Sequence, residues 1–178
     1  MDGAILLFIQ EYIRNDILTP FFTIITTLGN AGLIWIAISL LLLFNKKTRR
    51  AGIISICAML MLLIINNLIL KNLVARTRPY DAIDTLIPLV KKPTDFSFPS
   101  GHTGCAFAAV GVYVRNLPKR AGIPLLILAI LIALSRLYVG VHYPTDVLAG
   151  LIIGVALSYL AEWIVTSWEK RREAKEAE

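Results

Sequence analysis

The sequence predicts an all-α fold, a polytopic bundle of membrane helices with five main spanning helices and an N-terminal helical segment. Of the 178 residues, 57% are hydrophobic and only 17% are charged, which is far more apolar than a soluble domain requires. Apolar runs long enough to approach or cross a ~30 Å hydrocarbon core recur along the chain. We therefore expect one integral membrane domain that covers residues 1–178.

Five apolar stretches are expected to form the spanning helices. They are residues 31–44, 51–73, 101–114, 121–138 and 147–168. A span needs roughly 20 residues, so the two shortest stretches must be completed by flanking residues. Two weaker apolar runs, 4–13 and 17–28, come before them. Within residues 1–30 we expect an interfacial helix followed by a segment packed against the bundle.

The net charge of +6 does not by itself indicate a nucleic-acid-binding protein, because the cations cluster in three places between or after the apolar stretches. The clusters are Lys46, Lys47, Arg49 and Arg50; Arg115, Lys119 and Arg120; and Lys170, Arg171, Arg172 and Lys175. Basic segments next to spanning helices stay on the cytoplasmic side. The sequence thus predicts a multi-pass protein of the cell (plasma) membrane with a cytoplasmic C-terminal tail, residues 169–178.

This topology brings seven polar side chains from four distant segments to the extracytoplasmic face. They are Lys71, Arg78, Ser100, His102, Arg136, His142 and Asp146. Each has a simpler explanation alone, such as a cation that extends to the headgroups, a helix cap or a hydrogen bond between helices. The combination of three cations, both histidines of the chain and a carboxylate at one depth indicates a site for an anion such as phosphate.

Local sequence explains how the cations and one helix start could face that anion. Lys71 and Arg78 are seven residues apart, so on one helix they would share a face two turns apart, and Pro79 would end the helix. Ser100 is expected to be the N-cap of the next helix, while Gly101 lets its backbone approach a ligand closely. Free N–H groups at such a helix start attract an anion.

The second histidine lies at another helix start. Pro144 suits the first position of a helix, and His142 and Asp146 have an i, i+4 spacing. The carboxylate can therefore hold one imidazole nitrogen and leave the other directed outward.

These residues also resemble a known three-part signature. Lys71 with Arg78-Pro79, then Pro99-Ser100-Gly101-His102, then Ser135-Arg136 with His142 and Asp146 are similar to the motifs of the type 2 phosphatidic acid phosphatase family. Its relatives include vanadium haloperoxidases and bacterial acid phosphatases. The resemblance extends from Lys71 to Asp146, with all three parts in order and at the family's spacing.

The resemblance implies a role for each catalytic residue. His142 would be the nucleophile that forms a phosphohistidine, and Asp146 would orient its ring. His102 would protonate the leaving oxygen and later activate water, so the rate should have a bell-shaped pH dependence.

The resemblance also implies how phosphate is held. The phosphoryl oxygens would be bound by Lys71, Arg78, Arg136, Ser100 and the Gly101 amide. Such a cradle does the electrostatic work that a metal ion does elsewhere, so neither a metal nor another cofactor is expected.

A site open to both water and lipid suits a lipid phosphate or diphosphate as substrate. Undecaprenyl diphosphate is the first choice, and phosphatidylglycerophosphate and phosphatidic acid are alternatives. The expected partners are this substrate and the bilayer, with no nucleic acid and a possible homodimer. The main rival is an anion or lipid carrier, because ionisable residues within a membrane also mark transporters. A haloperoxidase is a more distant alternative, because its chemistry needs bound vanadate.

Overall fold

A computed structural model describes residues 2–176, and within this range every regular element is a helix. The α-helices are α1 (Asp2–Phe8), α2 (Leu18–Leu28), α3 (Leu33–Leu43), α4 (Arg49–Leu62), α5 (Lys71–Val74), α6 (Pro79–Ala82), α7 (Gly101–Asn116), α8 (Lys119–Tyr138) and α9 (Pro144–Glu176). A π-helical turn, Ile9–Ile13, extends α1, and a π-helix, Leu63–Leu70, joins α4 to α5. The predicted all-α class is confirmed.

The five expected spans differ in length in the structure. Within residues 2–176, three stretches can each cross a membrane by length and composition, namely Arg49–Ala82, Lys119–Tyr138 and Pro144–Glu176. The expected span 31–44 is one half of a pair, because α2 and α3 meet at a 45° bend and pass the same test only together. Ala31 (φ 51) and Gly32 (φ 66) make this bend in the left-handed region.

Helix α7 falls short of a full span. It has 16 residues and is therefore about 24 Å long, less than the ~30 Å hydrocarbon core. Its side chains from Ala106 to Tyr113 are almost completely buried, because α4, α8 and α9 surround it. The expected span 101–114 is thus the short central helix of the bundle.

Glycines let α7 and α9 approach each other closely. A Cβ atom on Gly154 would lie 2.5 Å from the carbonyl oxygen of Gly104, and one on Gly150 would lie 2.6 Å from that of Ser100. Small residues at helix crossings allow this kind of backbone contact in membrane proteins. At the same crossing the Ser100 N–H donates to the carbonyl of Asp146 at 3.0 Å, so the starts of the two helices are held together.

The predicted cation-rich segments meet at one end of the bundle. Arg50, at the start of α4, pairs with Glu169 at 3.0 Å, and Arg115, at the end of α7, pairs with Glu162 at 2.9 Å. The opposite end holds the start of α7, the end of α8 and the start of α9. Large apolar side chains such as Leu41, Phe44 and Ile152 are exposed along the sides of the bundle, as expected of a surface that faces lipid.

Residues 2–30 pack towards the end of the bundle opposite the basic segments. In α2, Phe22 stacks on Tyr138 of α8 with ring centroids 4.5 Å apart, which agrees with the expected packed segment. The turn after α1 is tied to the loop after α6, since Gln10 donates to the carbonyl of Thr85 at 2.9 Å. Arg14 donates to the carbonyl of Tyr138 at 3.0 Å.

Candidate active site

The chain breaks between the two cations of the first motif. Ala75 adopts a left-handed conformation (φ 47) directly after α5. Arg78 is extended (φ −72, ψ 151), because a residue before proline is disfavoured in the α region. Pro79 begins α6 rather than ending the preceding helix. The prediction that Lys71 and Arg78 lie two turns apart on one helix is therefore wrong, although both side chains reach the same point.

Both side chains contact the carboxylate of Asp95, a residue to which the sequence analysis gave no role. Arg78 Nη2 donates to Asp95 Oδ1 at 2.6 Å, and Lys71 Nζ forms an ion pair with Oδ2. The Lys71 and Arg78 side chains are 8% and 4% exposed, whereas that of Asp95 is 52% exposed. Partial burial of Asp95 acts to raise its pKa, but the hydrogen bonds and charges of the two cations outweigh this effect and lower the pKa to about 2.

The imidazole of His142 lies between a cation and a carboxylate. Its Nε2 atom is 3.3 Å from Arg78 Nη1, and its Nδ1 atom is 3.6 Å from Asp146 Oδ2. A guanidinium can only donate, so Nε2 is the accepting nitrogen and Nδ1 carries the proton of the neutral ring. The Nε2 lone pair thus faces the cations, and the protonated nitrogen faces the carboxylate.

The surroundings of His142 keep it neutral. Burial lowers the pKa of His142 most, the charges of Arg136 and Arg78 lower it further, and Asp146 only partly opposes them, so the pKa is about 4. At neutral pH the ring therefore retains a lone pair, as a nucleophile requires.

Asp146 is held by three donors and is fully buried. Ser97 Oγ donates to Oδ2 at 2.5 Å, the Tyr143 N–H donates to Oδ2 at 2.9 Å, and Arg76 Nη1 donates to Oδ1 at 2.6 Å. Arg76 also pairs with Asp2 at 2.9 Å, and its guanidinium lies 3.9 Å above the ring of Tyr143. Sequence reasoning missed Arg76, although its position between the two cations of the first motif was a usable signal.

The start of α7 contains the second motif. Ser100 is the N-cap, as predicted, and its hydroxyl accepts from the Thr103 N–H at 3.5 Å and from the Thr103 hydroxyl at 3.0 Å. A Cβ atom on Gly101 would meet Asn66 Nδ2 at 3.7 Å, which is ordinary contact. The protein itself therefore leaves room at Gly101. His102 Nε2 lies 3.0 Å from the side-chain oxygen of Asn30.

Arg136 is a buried cation whose donors are not all used. Its side chain is buried, and Nη1 donates to the hydroxyl of Thr26. Its Nε atom has no hydrogen-bond partner among residues 2–176. An unpaired donor on a buried charge is costly, so this geometry suits a site that binds an anion.

Two cavities meet at His102. One, of about 570 Å³, lies mainly between α3 and α4 and is largely apolar, and Lys71 and Asp95 line its polar end. The other, of about 610 Å³, has Arg136, Lys91 and Lys92 among its lining residues. His102 therefore lies between an apolar groove and a basic opening. Among residues 2–176 there is no group of three or more His, Cys, Asp or Glu side chains that could hold a metal ion.

The residues of this candidate site lie within a region of the chain that matches a known family. Residues 52–171, more than half of the chain, match the family model described as the PAP2 superfamily. The chain belongs to the PAP2 superfamily. The resemblance inferred from the three motifs is thereby confirmed.

Two relatives and one solved structure from the PAP2 superfamily are similar to the chain. An undecaprenyl-diphosphatase of Sulfolobus acidocaldarius is 35% identical over 128 residues, which are 72% of this chain and 62% of that protein. Undecaprenyl-diphosphatase BcrC of Bacillus subtilis is 34% identical over 154 residues, 83% of this chain and 75% of that protein.

The solved structure is a transmembrane PAP2-type phosphatidylglycerolphosphate phosphatase from Bacillus subtilis. It superposes with a TM-score of 0.75 at 30% identity, covering 93% of this chain and 85% of that one. The chain thus shares its helical architecture with a membrane protein of the PAP2 superfamily.

Proposed function

We propose that the protein is an integral membrane lipid phosphatase that hydrolyses a lipid phosphate or diphosphate through a phosphohistidine on His142. One observation carries this proposal. The accepting Nε2 of a neutral, buried His142 faces Arg78 at 3.3 Å, and Lys71 and Arg136 are buried at the same end of the bundle. A nucleophile surrounded by cations suits attack on phosphorus.

In the first step Nε2 of His142 forms a bond to the terminal phosphorus while the bond from that phosphorus to the leaving oxygen breaks. The leaving oxygen is the ester oxygen of a lipid phosphate or the bridging oxygen of a lipid diphosphate. The leaving oxygen takes a proton from His102, and Asp146 stabilises the imidazolium that develops. Lys71, Arg78 and Arg136, with Ser100 and the Gly101 amide, would offset the charge on the equatorial oxygens. The Ser100 hydroxyl accepts both of its hydrogen bonds from Thr103, so its own proton stays free to donate to a phosphoryl oxygen.

In the second step His102, now neutral, takes a proton from water, and the resulting hydroxide attacks the phosphohistidine. Inorganic phosphate leaves and His142 regains its lone pair. The cations supply the electrostatic stabilisation throughout, so the proposed reaction needs neither a metal nor another cofactor.

The apolar cavity supports a lipid as substrate. It is about 570 Å³ and reaches from Leu40 and Leu60 to His102, so a hydrocarbon chain in it would end beside the proposed general acid. Undecaprenyl diphosphate is our first choice, since two similar relatives are undecaprenyl-diphosphatases. Phosphatidylglycerophosphate is the alternative, supported by the likeness to the Bacillus subtilis phosphatase.

The charge distribution supports the orientation. The basic end, with Arg50 and Arg115, would be cytoplasmic under the positive-inside rule. The site lies at the other end and would face the outside of the cell membrane. A homodimer stays a prediction.

The proposal is tested by phosphate release in detergent with EDTA present. Undecaprenyl diphosphate, phosphatidylglycerophosphate and phosphatidic acid are compared, with His142→Ala as the control. We expect release from at least one lipid and a loss of at least ~1,000-fold in the variant. Acid-labile phosphate should be trapped on the wild-type protein but not on His142→Ala. Tight lipid binding without release would instead indicate a carrier.

A further inference from the structure

The carboxylate of Asp95 lies where the proposed phosphate would contact two of its cations. Its two oxygens are divided between them, with Oδ1 2.6 Å from Arg78 Nη2 and Oδ2 paired with Lys71. The cations are buried, whereas Asp95 belongs to the non-helical loop between α6 and α7 and is half exposed. Its backbone is also held, because Arg78 Nε donates to the Asp95 carbonyl at 2.8 Å.

Asp95 keeps its negative charge at any pH where the enzyme would be assayed. Its pKa is lowered to about 2. A ligand must therefore displace one full negative charge from Lys71 and Arg78 before its own oxygens can bind both.

Ligands differ in how well they can displace the Asp95 carboxylate from the two cations. A terminal phosphate carries roughly −1.5 to −2 charges and three acceptor oxygens near pH 7, whereas a phosphodiester carries about one charge on two free oxygens. Replacing the carboxylate with a phosphodiester exchanges one single charge for another, while a terminal phosphate adds charge and an oxygen for Arg136. The gain is therefore greater for the terminal phosphate.

The position of the cations near the lipid headgroups makes the difference between these two kinds of ligand important. Asp95 and Lys71 line the apolar cavity, which on the proposed function receives a lipid, so the cations lie close to the headgroup region. Most headgroups in a bilayer are phosphodiesters. A cradle of three free cations would be exposed to a large excess of them.

We propose that Asp95 is a specificity-determining residue, whose carboxylate occupies the phosphate cradle and is displaced by a terminal phosphate but not by a phosphodiester headgroup. This inference rests on the proposed function, because it takes Lys71, Arg78 and Arg136 to be the phosphate ligands. It adds a threshold of affinity, which a terminal phosphate passes and the more weakly held phosphodiester headgroups do not.

The test uses Asp95→Asn, which keeps the shape and removes the charge. Two inhibitors of hydrolysis are compared in detergent micelles, inorganic phosphate and short-chain phosphatidylglycerol. Displacing the carboxylate costs the same for every ligand, so in the variant we expect both inhibition constants to fall by a similar factor of at least about ten. Phosphatidylglycerol, which should not inhibit the wild-type enzyme measurably, should then become a measurable inhibitor. Asp95→Glu, which keeps the charge, should still exclude phosphatidylglycerol.

Asp84→Asn is the matched control. Asp84 lies exposed in the same loop, so the variant removes one negative charge without touching Lys71 or Arg78. It should keep the wild-type inhibition constant for inorganic phosphate and should still not be inhibited by phosphatidylglycerol. If Asp95→Asn does not fold, as judged by gel filtration, Asp95→Ser replaces it.

Two results overturn the inference. The first is a failure of phosphatidylglycerol to inhibit Asp95→Asn, and the second is weaker inhibition by both compounds, which would mean that Asp95 only organises the cations. In either case a wild-type enzyme that releases phosphate leaves the proposed function intact. A wild-type protein that neither releases lipid phosphate nor responds to inorganic phosphate contradicts the proposed function itself.

Discussion

His142 depends on the groups at the two sides of its ring. Arg78 favours the accepting form of Nε2, and Asp146 lies on the side of Nδ1 at 3.6 Å. That distance is too long for a good hydrogen bond. We expect it to shorten once the ring becomes positive on attack, so that Asp146 stabilises the charged ring more than the neutral one. Interactions that strengthen in this way raise the rate of the chemical step.

The pH dependence follows from the pKa of His142 at about 4. As pH falls through that value the ring is protonated and loses its nucleophilic lone pair, so kcat/KM should fall with an acid limb near pH 4. The alkaline limb should come from His102, which must be protonated to donate and is expected to take up its proton when the negatively charged phosphate of the substrate lies beside it, so this limb should be seen in kcat.

The measurement is kcat and kcat/KM from pH 3 to 10 in wild type and in His102→Ala. Ionisation of the substrate affects both proteins equally and cancels in the ratio of the two profiles. We expect the variant to keep the acid limb and lose the alkaline one. An acid limb centred at pH 6 or above, or no alkaline limb in wild type, would contradict these roles.

Arg76 is predicted to act through Asp146 rather than on the substrate. Arg76→Gln removes the 2.6 Å charged contact to Oδ1 and frees the carboxylate to turn away from His142. We expect kcat to fall about 100-fold, the cost of a small misplacement, with KM nearly unchanged because Lys71, Arg78 and Arg136 are untouched.

Arg76→Lys is the control for charge. A lysine keeps the charge but not the planar fork that reaches both Asp146 and Asp2, so it should restore kcat only in part. A wild-type kcat in Arg76→Gln would contradict this role, because it would show that the other donors orient Asp146 without Arg76.

At the scale of the elements, the crossing of α7 and α9 sets the geometry of the site. In Gly154→Ala the added Cβ would lie 2.5 Å from the Gly104 oxygen and 2.9 Å from the Ala108 nitrogen, so two backbones must separate. Overpacking of this kind costs about 1–3 kcal/mol, and the thermal midpoint in detergent should fall.

Gly101→Ala, at the start of α7, is the matched comparison. Its Cβ would meet Asn66 Nδ2 only at 3.7 Å, so stability should stay at the wild-type level. Activity should nevertheless fall, because the methyl group would occupy space that the phosphate needs. A stable and fully active Gly101→Ala protein would mean that phosphate does not approach this backbone.

The helices could be predicted from the sequence because long apolar runs permit little else in a membrane. The break at Ala75 could not, because nothing in a local apolar run indicates a left-handed alanine. The motif residues could be assigned because both histidines and the cations were conspicuous in an apolar chain. The roles of Asp95 and Arg76 could not be predicted, because they depend on contacts with residues 17 to 70 positions away.

At the scale of the whole molecule, the separation of the basic end from the site predicts how the protein is inserted. Lys46→Cys and Asp84→Cys place a thiol at exposed positions at the two ends, in a chain whose Cys57 and Cys105 are replaced by alanine. In intact cells a membrane-impermeant maleimide should label Asp84→Cys at once and Lys46→Cys only after permeabilisation. The reverse pattern would place the site in the cytoplasm.

The shortness of α7 has a consequence for how the enzyme meets its substrate. Because the helix is about 24 Å long, its first turn lies below the level of the headgroups when its other end is at the opposite surface. Pulling a long hydrocarbon tail into water costs about 0.8 kcal/mol per CH₂ group, and a recessed site with an apolar groove avoids that cost. Turnover in mixed micelles should therefore follow the mole fraction of substrate in the micelle surface rather than its bulk concentration.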